Sequence, residues 1–269
     1  MVDERTRMQL DDEGFAVLDA VISDDRRRAL LSRVRALLAE EGDAAGSEFL
    51  VESGADRLAN LAAKGEEFLA VATEPRVLDA VRAVLGAGIK LSSLNARAVS
   101  PMSGEVQPLH CDMAAVPDAD GFWVCNTVWL LDPFTADNGA IRLVPRSHRT
   151  GALPADVLED PRAPHPDEIL VTAPAGSVVV MNAHLWHGGT ANRSAASRTV
   201  LHAFYCRRDK PQQQYQKGLI DPSVAAAFAP EVRELLALDD PENDRLSGDP
   251  GPRSGFMTAP RRAAEPRRP

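Results

Sequence analysis

Three short segments of the chain carry side chains that suit a single metal site. They are His110-Cys111-Asp112, then His187 far downstream, and then Arg198, eleven residues after that histidine. Two histidines and one carboxylate form the facial triad that holds non-haem Fe(II) and leaves one face open for oxygen and a co-substrate. An arginine nearby would hold a dicarboxylate co-substrate, because its planar guanidinium forms two parallel hydrogen bonds with a carboxylate. The combination predicts an iron-dependent oxygenase site, although no single segment is diagnostic.

The first two candidate ligands, His110 and Asp112, lie two residues apart. A β-strand is predicted over residues 106–112, and in a strand residues i and i+2 point to the same face. Both side chains would then reach one metal ion, while Leu109 and Cys111 would face the opposite side. A His-x-Asp tripeptide alone is common and usually has no function, so the interpretation depends on a third ligand.

The third ligand is expected from a different strand, since one strand cannot supply three converging groups. His187 follows the apolar segment 176–182 and is itself followed by Gly188 and Gly189. Two glycines would let the backbone approach a bound ligand closely, which favours His187. His184, three residues earlier, is the competing candidate and is interpreted as a loop histidine outside the metal site.

A cation for the co-substrate is expected from Arg198, which opens the apolar run 199–205. An arginine at the start of a strand is usually a solvated surface charge, but a metal ligand on the neighbouring strand favours an inward orientation. Arg193 and Arg142 are alternatives that are more typical of the surface. Gln107, three residues before His110, is equally compatible with an amide contact to the co-substrate and with an ordinary polar strand position.

Composition excludes several classes of protein. The chain has 269 residues, of which 44% are hydrophobic and 26% charged, and its net charge of −9 argues against a nucleic-acid partner. No apolar run is long enough to span a bilayer, and residues 1–20 do not resemble a signal peptide. Three cysteines are too few and too scattered for a disulfide framework. We therefore expect a cytoplasmic enzyme that acts on a small molecule, without a nucleic-acid or membrane partner.

The elements that must position these residues change in type along the chain. The N-terminal part, residues 1–88, is predicted to be helical, with one helix capped by Ser23 and ended by Gly42 and another from Pro75 to Gly86. Between these helices, residues 43–65 lack periodicity and suit a mobile loop or lid.

Residues 89–206 contain short β-like runs separated by Pro, Gly and Asn. Strands are predicted over 89–99, 106–112, 123–131, 140–145, 168–173, 176–182 and 198–206. This pattern is typical of a barrel or a double-sheet jelly roll, so the predicted fold class is mainly β with flanking α-helices.

Residues 223–238 are predicted to form a C-terminal helix, interrupted or restarted at Pro230. One catalytic domain is thus expected over residues 1–238. The tail 239–269 is rich in Asp, Pro, Gly and Arg and is expected to be disordered. Segments 43–65, 113–122 and 207–220 are expected to frame the mouth of the pocket, and the polar stretch 207–217 is interpreted chiefly as a solvated loop.

The sequence resembles the phytanoyl-CoA dioxygenase family of Fe(II)/2-oxoglutarate-dependent oxygenases. Three motifs carry the resemblance: Gln107-Pro-Leu-His-Cys-Asp, Asp137-Asn-Gly-Ala-Ile-Arg-Leu-Val-Pro-Arg-Ser-His148, and His187-Gly-Gly-Thr-Ala-Asn-Arg-Ser followed by Arg198. The opening Asp11-Asp-Glu-Gly-Phe-Ala-Val-Leu is also similar to the start of that family. The resemblance covers most of residues 8–206 and keeps the order and spacing of the three motifs.

The resemblance implies a double-stranded β-helix, or cupin-like jelly roll, with helices packed outside it. It also implies that His110, Asp112 and His187 bind Fe(II) and that Arg198 binds the distal carboxylate of 2-oxoglutarate. Some members of the family place a hydroxyl side chain near this co-substrate, at positions where this chain has Ile141 or Gly189. Thr190 is the candidate substitute.

The expected reaction is hydroxylation of an unactivated carbon in a small organic molecule, with O2 and 2-oxoglutarate as co-substrates. The same iron site could also support desaturation, epimerisation, ring closure or demethylation, because the outcome depends on where the substrate carbon lies. A non-oxidative cupin-like protein is a third interpretation, but Arg198 would have no purpose there. Nothing in the sequence indicates a coenzyme A site, and the substrate is not predicted.

Overall fold

The computed structural model describes residues 2–47, 52–103 and 105–249. The α-helices are α1 (Glu4–Asp12), α2 (Asp24–Glu41), α3 (Glu66–Ala72), α4 (Pro75–Leu85), α5 (Pro154–Val157), α6 (Gln216–Leu219), α7 (Pro222–Ala225), α8 (Pro230–Leu235) and α9 (Pro241–Ser247). The strands are β1 (Phe15–Leu18), β2 (Ala55–Leu58), β3 (Ile89–Val99), β4 (Val124–Leu130), β5 (Ile141–Leu143), β6 (Ile169–Leu170), β7 (Val178–Asn182), β8 (His187–Gly189) and β9 (Arg198–Arg207).

The two long N-terminal helices begin and end where the sequence predicts. The Ser23 hydroxyl caps α2 by accepting a hydrogen bond from the Arg26 amide, and Gly42 ends the helix with a φ of 52°. Pro75 occupies the first turn of α4, and Gly86 follows its last residue with a φ of 83°. A glycine adopts such positive φ values without steric cost, so both helix ends are encoded locally.

A six-stranded antiparallel sheet in the order β1-β7-β4-β9-β3-β2 forms the larger layer. Successive side chains alternate across a sheet. On β9, Leu201, Ala203 and Tyr205 are therefore buried in the core under the helices, whereas Arg198 and His202 lie on the opposite face and line a cavity. This alternation places the candidate site on the face of the sheet away from the helices.

A smaller sheet in the order β6-β5-β8 lies against that second face. Val128 and Val200 of the larger sheet share an apolar cluster with Ile141 and Leu143 of the smaller one. The double-sheet jelly roll predicted from the sequence is thus confirmed, and within the described residues the two sheets do not close into a barrel. No helix in these ranges is both long and apolar enough to cross a membrane.

The description of residues 1–88 as helical was incomplete. Strand β1 lies in this part and pairs with β7, and β2 lies inside the supposed loop 43–65 and pairs with β3. Each is only four residues long, too short for a period-2 pattern to stand out beside long helices. The rest of that loop includes residues 48–51, which lie outside the described residues.

The predicted C-terminal structure also needs correction. Two short helices, α7 and α8, replace a continuous helix over 223–238, with the restart at Pro230 as expected. The expected disorder was wrong for residues 241–247, which form α9 with Asn243 and Ser247 fully buried. Residues 250–269, the remainder of the predicted tail, lie outside the described residues.

The stretch 207–217 is not the solvated loop that its composition suggested. Gln212, Gln213 and Gln214 are all buried. Gln214 accepts a hydrogen bond from the Leu94 amide (3.1 Å), and Gln212 donates one to the Leu91 carbonyl (2.8 Å). These amides satisfy backbone groups of β3, so the polar composition reflects buried hydrogen bonding.

Truncating the core between helices and sheet should have a large effect on stability. Leu201 is fully buried at the centre of β9, so we expect Leu201→Ala to lower the free energy of unfolding by about 3 kcal/mol through lost apolar burial and a residual cavity. Urea denaturation followed by circular dichroism measures this. Met8→Ala, at a position that is 57% exposed, should change stability by less than about 0.5 kcal/mol. Equal losses in the two variants would contradict this description of the core.

Candidate metal centre

Three of the predicted site residues meet at one point between the sheets. His110, Asp112 and His187 each present a ligand atom, and these atoms all lie within 4.8 Å of one another. The Nε2 atom of His187 is 3.4 Å from Oδ2 of Asp112, and Nε2 of His110 is 3.9 Å from Oδ1. His184 is not part of this cluster; its Nδ1 lies 2.8 Å from Oδ1 of Asn182.

Backbone hydrogen bonds bring the two histidines together. The His110 amide donates to the His187 carbonyl (2.9 Å), and the His187 amide donates to the His110 carbonyl (3.0 Å). The predicted strand over 106–112 is not formed: apart from this bridge the segment is irregular, and Asp112 begins a 3-10 turn. Met113, which follows, has a φ of 57°, so the chain turns sharply just after the carboxylate.

The imidazole rings are oriented so that their Nε2 atoms can bind a metal. Nδ1 of His110 lies 2.9 Å from the Pro108 carbonyl, and Nδ1 of His187 lies 2.8 Å from the Leu185 carbonyl. A carbonyl oxygen can only accept a hydrogen bond, so Nδ1 carries the proton in both neutral rings and the Nε2 lone pair is free. Each neutral ring thus presents its Nε2 lone pair beside Asp112. Burial alone would lower the pKa of His187, but the Asp112 carboxylate outweighs it and raises that pKa, so a metal ion would compete with a proton at this ring.

The protonation states also suit a divalent cation. Burial and the neighbouring His187 lower the pKa of His110 to about 4, so that ring is neutral near pH 7. Burial alone would raise the pKa of Asp112, but His187 and the Asn126 amide outweigh it and hold that pKa below its usual range. One carboxylate and two imidazole nitrogens form the donor set that non-haem Fe(II) takes in a facial site, so these residues fit iron.

Asn126, on β4, orients the carboxylate of the cluster. Its Nδ2 donates to Oδ2 of Asp112 over 3.1 Å, and its side chain is buried. Replacing it with a leucine of similar size should weaken Fe(II) binding about 10- to 100-fold, the usual cost of losing a partner of a metal ligand. An anaerobic Fe(II) titration measures this, with thermal unfolding of the metal-free protein as the control. An unchanged iron affinity in folded Asn126→Leu would contradict the role.

Arg198 lies at the start of β9 and is 2% exposed. Its guanidinium donates to the carbonyls of Asn138 and Gly139 and stacks over Phe134, 4.9 Å from the ring centroid. None of the described carboxylates lies within 4.0 Å of it, and burial, aided by the positive charge of Arg97, lowers its pKa to about 9. A buried cation without an ionic partner is costly unless a ligand supplies the anion.

A cavity of about 250 Å³ joins Arg198 to the metal cluster. Most of its lining residues are polar or charged, and Ile141, Met181 and Phe204 add apolar surface. The cavity therefore has a cation at one side, a set of metal ligands at another, and room for a small molecule.

Gln107 lines this cavity, but both ends of its amide already have protein partners. Its Oε1 accepts a hydrogen bond from the Gly189 amide (2.9 Å), and its Nε2 donates to Glu52 (3.1 Å). Thr190 does not line the cavity; its hydroxyl donates to the Ala140 carbonyl over 2.7 Å. The structure therefore brings Gln107, and not Thr190, to the cavity.

The two glycines after His187 have different surroundings: one lies against another backbone segment, and the other lines the cavity. A Cβ atom on Gly188 would lie 2.9 Å from the Gln107 carbonyl oxygen, so any side chain would push away the segment that carries His110. Gly189 lines the cavity itself. At Gly188, the close approach is therefore between two protein segments, whereas the sequence predicted one between the backbone and a ligand.

Arg142 was wrongly interpreted as a surface residue. It is 3% exposed and pairs with Glu168 over 2.9 Å. It also donates to the Gln107 and Pro161 carbonyls, so it helps to hold the segment before His110. Arg193 is exposed, as expected.

Several cavity residues were missed by sequence reasoning. Arg57 and Arg97 lie opposite each other on β2 and β3, and Asn95 and His202 form another opposed pair on β3 and β9. One signal was available: Arg198 and His202 are four residues apart in one strand and must share a face. The three segments expected at the pocket mouth each contribute a lining residue, namely Arg57, Met113 and Gln213.

Taken together, a jelly roll, a His/Asp/His cluster and a buried arginine define a non-haem Fe(II)- and 2-oxoglutarate-dependent oxygenase. Comparison with known proteins agrees: residues 10–200 match the model of the phytanoyl-CoA dioxygenase family. The chain belongs to this family.

Individual relatives are similar to this chain over most of its length. Dioxygenase af480 from Aspergillus fumigatus is 26% identical over 243 residues, which cover 87% of this chain and 77% of the relative. EctD from S. alaskensis, solved with 2-oxoglutarate and 5-hydroxyectoine, has a TM-score of 0.65 at 21% identity, covering 77% of this chain and 76% of EctD. The epimerase SnoN from nogalamycin biosynthesis has a TM-score of 0.63 at 21% identity, covering 77% of this chain and 83% of SnoN.

Family and fold thus identify the class of enzyme. The chain belongs to a dioxygenase family, and the His110, Asp112 and His187 cluster fits the iron that non-haem Fe(II)/2-oxoglutarate dioxygenases use. The two solved structures are below 25% identity and support the fold alone.

Proposed function

We propose that this enzyme hydroxylates an unactivated carbon of a small organic molecule while 2-oxoglutarate is converted to succinate and CO2. The observation that carries the proposal is the buried Arg198, which has no carboxylate partner among the described residues and shares one cavity with the metal cluster. A cupin-like protein that uses its metal without an oxoacid would not need a buried arginine to bind an anionic co-substrate. A cytoplasmic location is also part of the proposal, supported by three free, buried cysteines.

In this proposal His110, Asp112 and His187 hold the iron, and Arg198 binds the distal carboxylate of 2-oxoglutarate. The bound metal and co-substrate together supply the oxidant that cleaves a C–H bond. The residues of this chain keep the imidazoles in the Nδ1-protonated form, hold the carboxylate ionised, and fix the co-substrate at its far end. Ile141 gives the cavity wall an apolar surface beside these polar groups.

Succinate release tests this function directly. The purified protein with Fe(II), in air, should form succinate from 2-oxoglutarate, slowly alone and faster when a substrate is present. EDTA or exclusion of O2 should stop the reaction, and the organic product should gain one oxygen atom by mass spectrometry. Succinate formation that is absent, or that does not depend on iron, would overturn the proposal.

Mass spectrometry of the product also separates hydroxylation from the other outcomes of the same iron site. Desaturation or ring closure would remove two hydrogen atoms, and epimerisation would leave the mass unchanged. Any of these with coupled succinate release would keep the iron and co-substrate assignment and reject hydroxylation.

A further inference from the structure

A second group of charged side chains lies at the cavity wall, apart from Arg198. Arg57 on β2 and Arg97 on β3 are directly opposed in the antiparallel register, and both line the cavity. Like charges in opposed positions destabilise a sheet unless an anion lies between them. Glu52, just before β2, supplies that anion.

The Glu52 carboxylate is bonded by both guanidinium groups. Arg57 donates through Nε over 2.7 Å, and Arg97 donates through Nε over 3.0 Å and Nη2 over 2.5 Å. Gln107 adds a fourth hydrogen bond over 3.1 Å. Burial alone would raise the pKa of Glu52, but the two arginines outweigh it and lower that pKa to about 2. Glu52 is therefore a permanent anion, and it can neutralise only one of the two arginines.

The charged side chains around the cavity include one more cation than they include anions. Arg57, Arg97 and Arg198 give three positive charges, and Asp112 and Glu52 give two negative ones. Fe(II) and 2-oxoglutarate carry opposite double charges, so the excess of one positive charge persists in the loaded enzyme. A second carboxylate near Arg198, Asp132, does not line the cavity and accepts a hydrogen bond from the Thr199 amide.

Arg57 lies on a strand that is not adjacent to the strand of Arg198, the residue proposed to bind the co-substrate. Its strand, β2, is two strands away from β9, which carries Arg198, so about 10 Å separate the two backbones at about 4.8 Å per strand. Arg97 lies between them, and its Nη1 would be 3.5 Å from a Cβ atom on Gly189, close to the metal cluster. Nη1 of Arg57 has no hydrogen-bond acceptor among the described residues. Arg57 thus lines the cavity two strands away from Arg198 and has a donor without a partner among the described residues.

We propose that the substrate is a monoanion, a small carboxylic acid, and that Arg57 binds its carboxylate. Gln213, which also lines the cavity, offers a neutral amide group, and Phe204 and Met113 offer surface for an apolar body. This inference rests on the proposed function, because the charge count includes iron and 2-oxoglutarate.

Ligand binding to the loaded but inactive enzyme tests the inference. The protein is saturated with Ni(II), which does not support turnover, and with 2-oxoglutarate. Binding of 3-phenylpropanoate and cyclohexanecarboxylate is then compared with binding of 3-phenylpropanamide and cyclohexanecarboxamide by ligand-observed NMR. We expect each acid to bind about ten- to a hundredfold more tightly than its amide, the size of a charge-assisted hydrogen bond. Equal affinities, or no detectable binding of the acids, would overturn the inference.

Two variants that should shift acid binding in opposite directions test whether Arg57 is the cation that binds the acid. Arg57→Gln should remove the preference for acids, and Glu52→Gln should strengthen acid binding about tenfold because it frees a second guanidinium. Arg28→Gln, on the exposed surface of α2, should behave as wild type. Acid binding that is unchanged in both cavity variants would overturn the role of Arg57, and opposite shifts cannot arise from misfolding alone.

The co-substrate provides the final control. Anaerobic Fe(II) and 2-oxoglutarate should give the same charge-transfer absorption in wild type and Arg57→Gln. Loss of that absorption in Arg57→Gln alone would assign Arg57 to 2-oxoglutarate and overturn this inference. Its absence from wild type would reject the proposed function itself, whatever the acids do.

Discussion

Asp112→Ala should lower 2-oxoglutarate-dependent turnover by more than about a hundredfold. Loss of a residue that only supports a metal ligand costs 10- to 100-fold in affinity or activity, and Asp112 is itself the carboxylate of the cluster. Without it, two neutral imidazoles remain, and a hard divalent cation loses its charged oxygen ligand. Iron content after dialysis and succinate formation measure the two effects.

Asp120→Asn is the matched control for this change. Its carboxylate is 84% exposed and belongs neither to the cluster nor to the cavity lining, so the variant should retain wild-type iron content and turnover. Circular dichroism should show that Asp112→Ala is folded, because Asp112 begins a short turn and contributes no apolar surface to the core. Full turnover in folded Asp112→Ala would refute the ligand assignment.

Family halogenases lack this carboxylate, so its presence also argues against halogenation here.

Arg198→Gln should raise the KM for 2-oxoglutarate about a hundredfold or more. Losing one partner of a buried, hydrogen-bonded charge pair costs roughly 2–5 kcal/mol, and 1.4 kcal/mol corresponds to a factor of ten. The variant should also lose its preference for 2-oxoglutarate over 2-oxobutyrate, an oxoacid without the distal carboxylate. Steady-state succinate or CO2 release with both oxoacids measures this preference.

The stability of Arg198→Gln should separate a binding role from a structural one. The arginine is buried without an ionic partner among the described residues, so its removal should cost the metal-free protein less stability than the loss of an arginine from a buried ion pair. Arg142→Gln is the contrasting control: Arg142 is equally buried but pairs with Glu168, and its loss should destabilise the fold while the oxoacid preference remains. A retained preference in Arg198→Gln would contradict its assignment to the co-substrate.

Much of the fold was predictable because its signals are local. Ser23, Gly42, Pro75 and Gly86 determine helix ends through hydrogen bonds and φ angles within a few residues. The long strand β3, from Ile89 to Val99, was predicted with its observed bounds. Short strands such as β1 and β2 were missed, because four residues carry little periodicity and their pairing with β7 and β3 is a long-range contact.

The helix at 241–247 shows the limit of composition. Its segment is rich in Asp, Pro and Arg, which predicted disorder. In the structure Asn243 accepts a hydrogen bond from the buried Lys90 over 2.8 Å and donates one to Gln212 over 2.9 Å. Those partners come from distant parts of the chain, so the stabilising contacts exist only after folding.

The sequence by itself determined which residues are candidate ligands, their order, and the arginine that accompanies them, because each lies in a short motif whose chemistry depends on residue type. Only the tertiary structure decided how these groups are used. It set the imidazole tautomers through the Pro108 and Leu185 carbonyls. It also placed Arg57 opposite Arg97, with both bonded to the carboxylate of Glu52. The physical reason is that pKa, tautomer and net charge depend on which distant groups come within a few ångströms, and only strand pairing decides that.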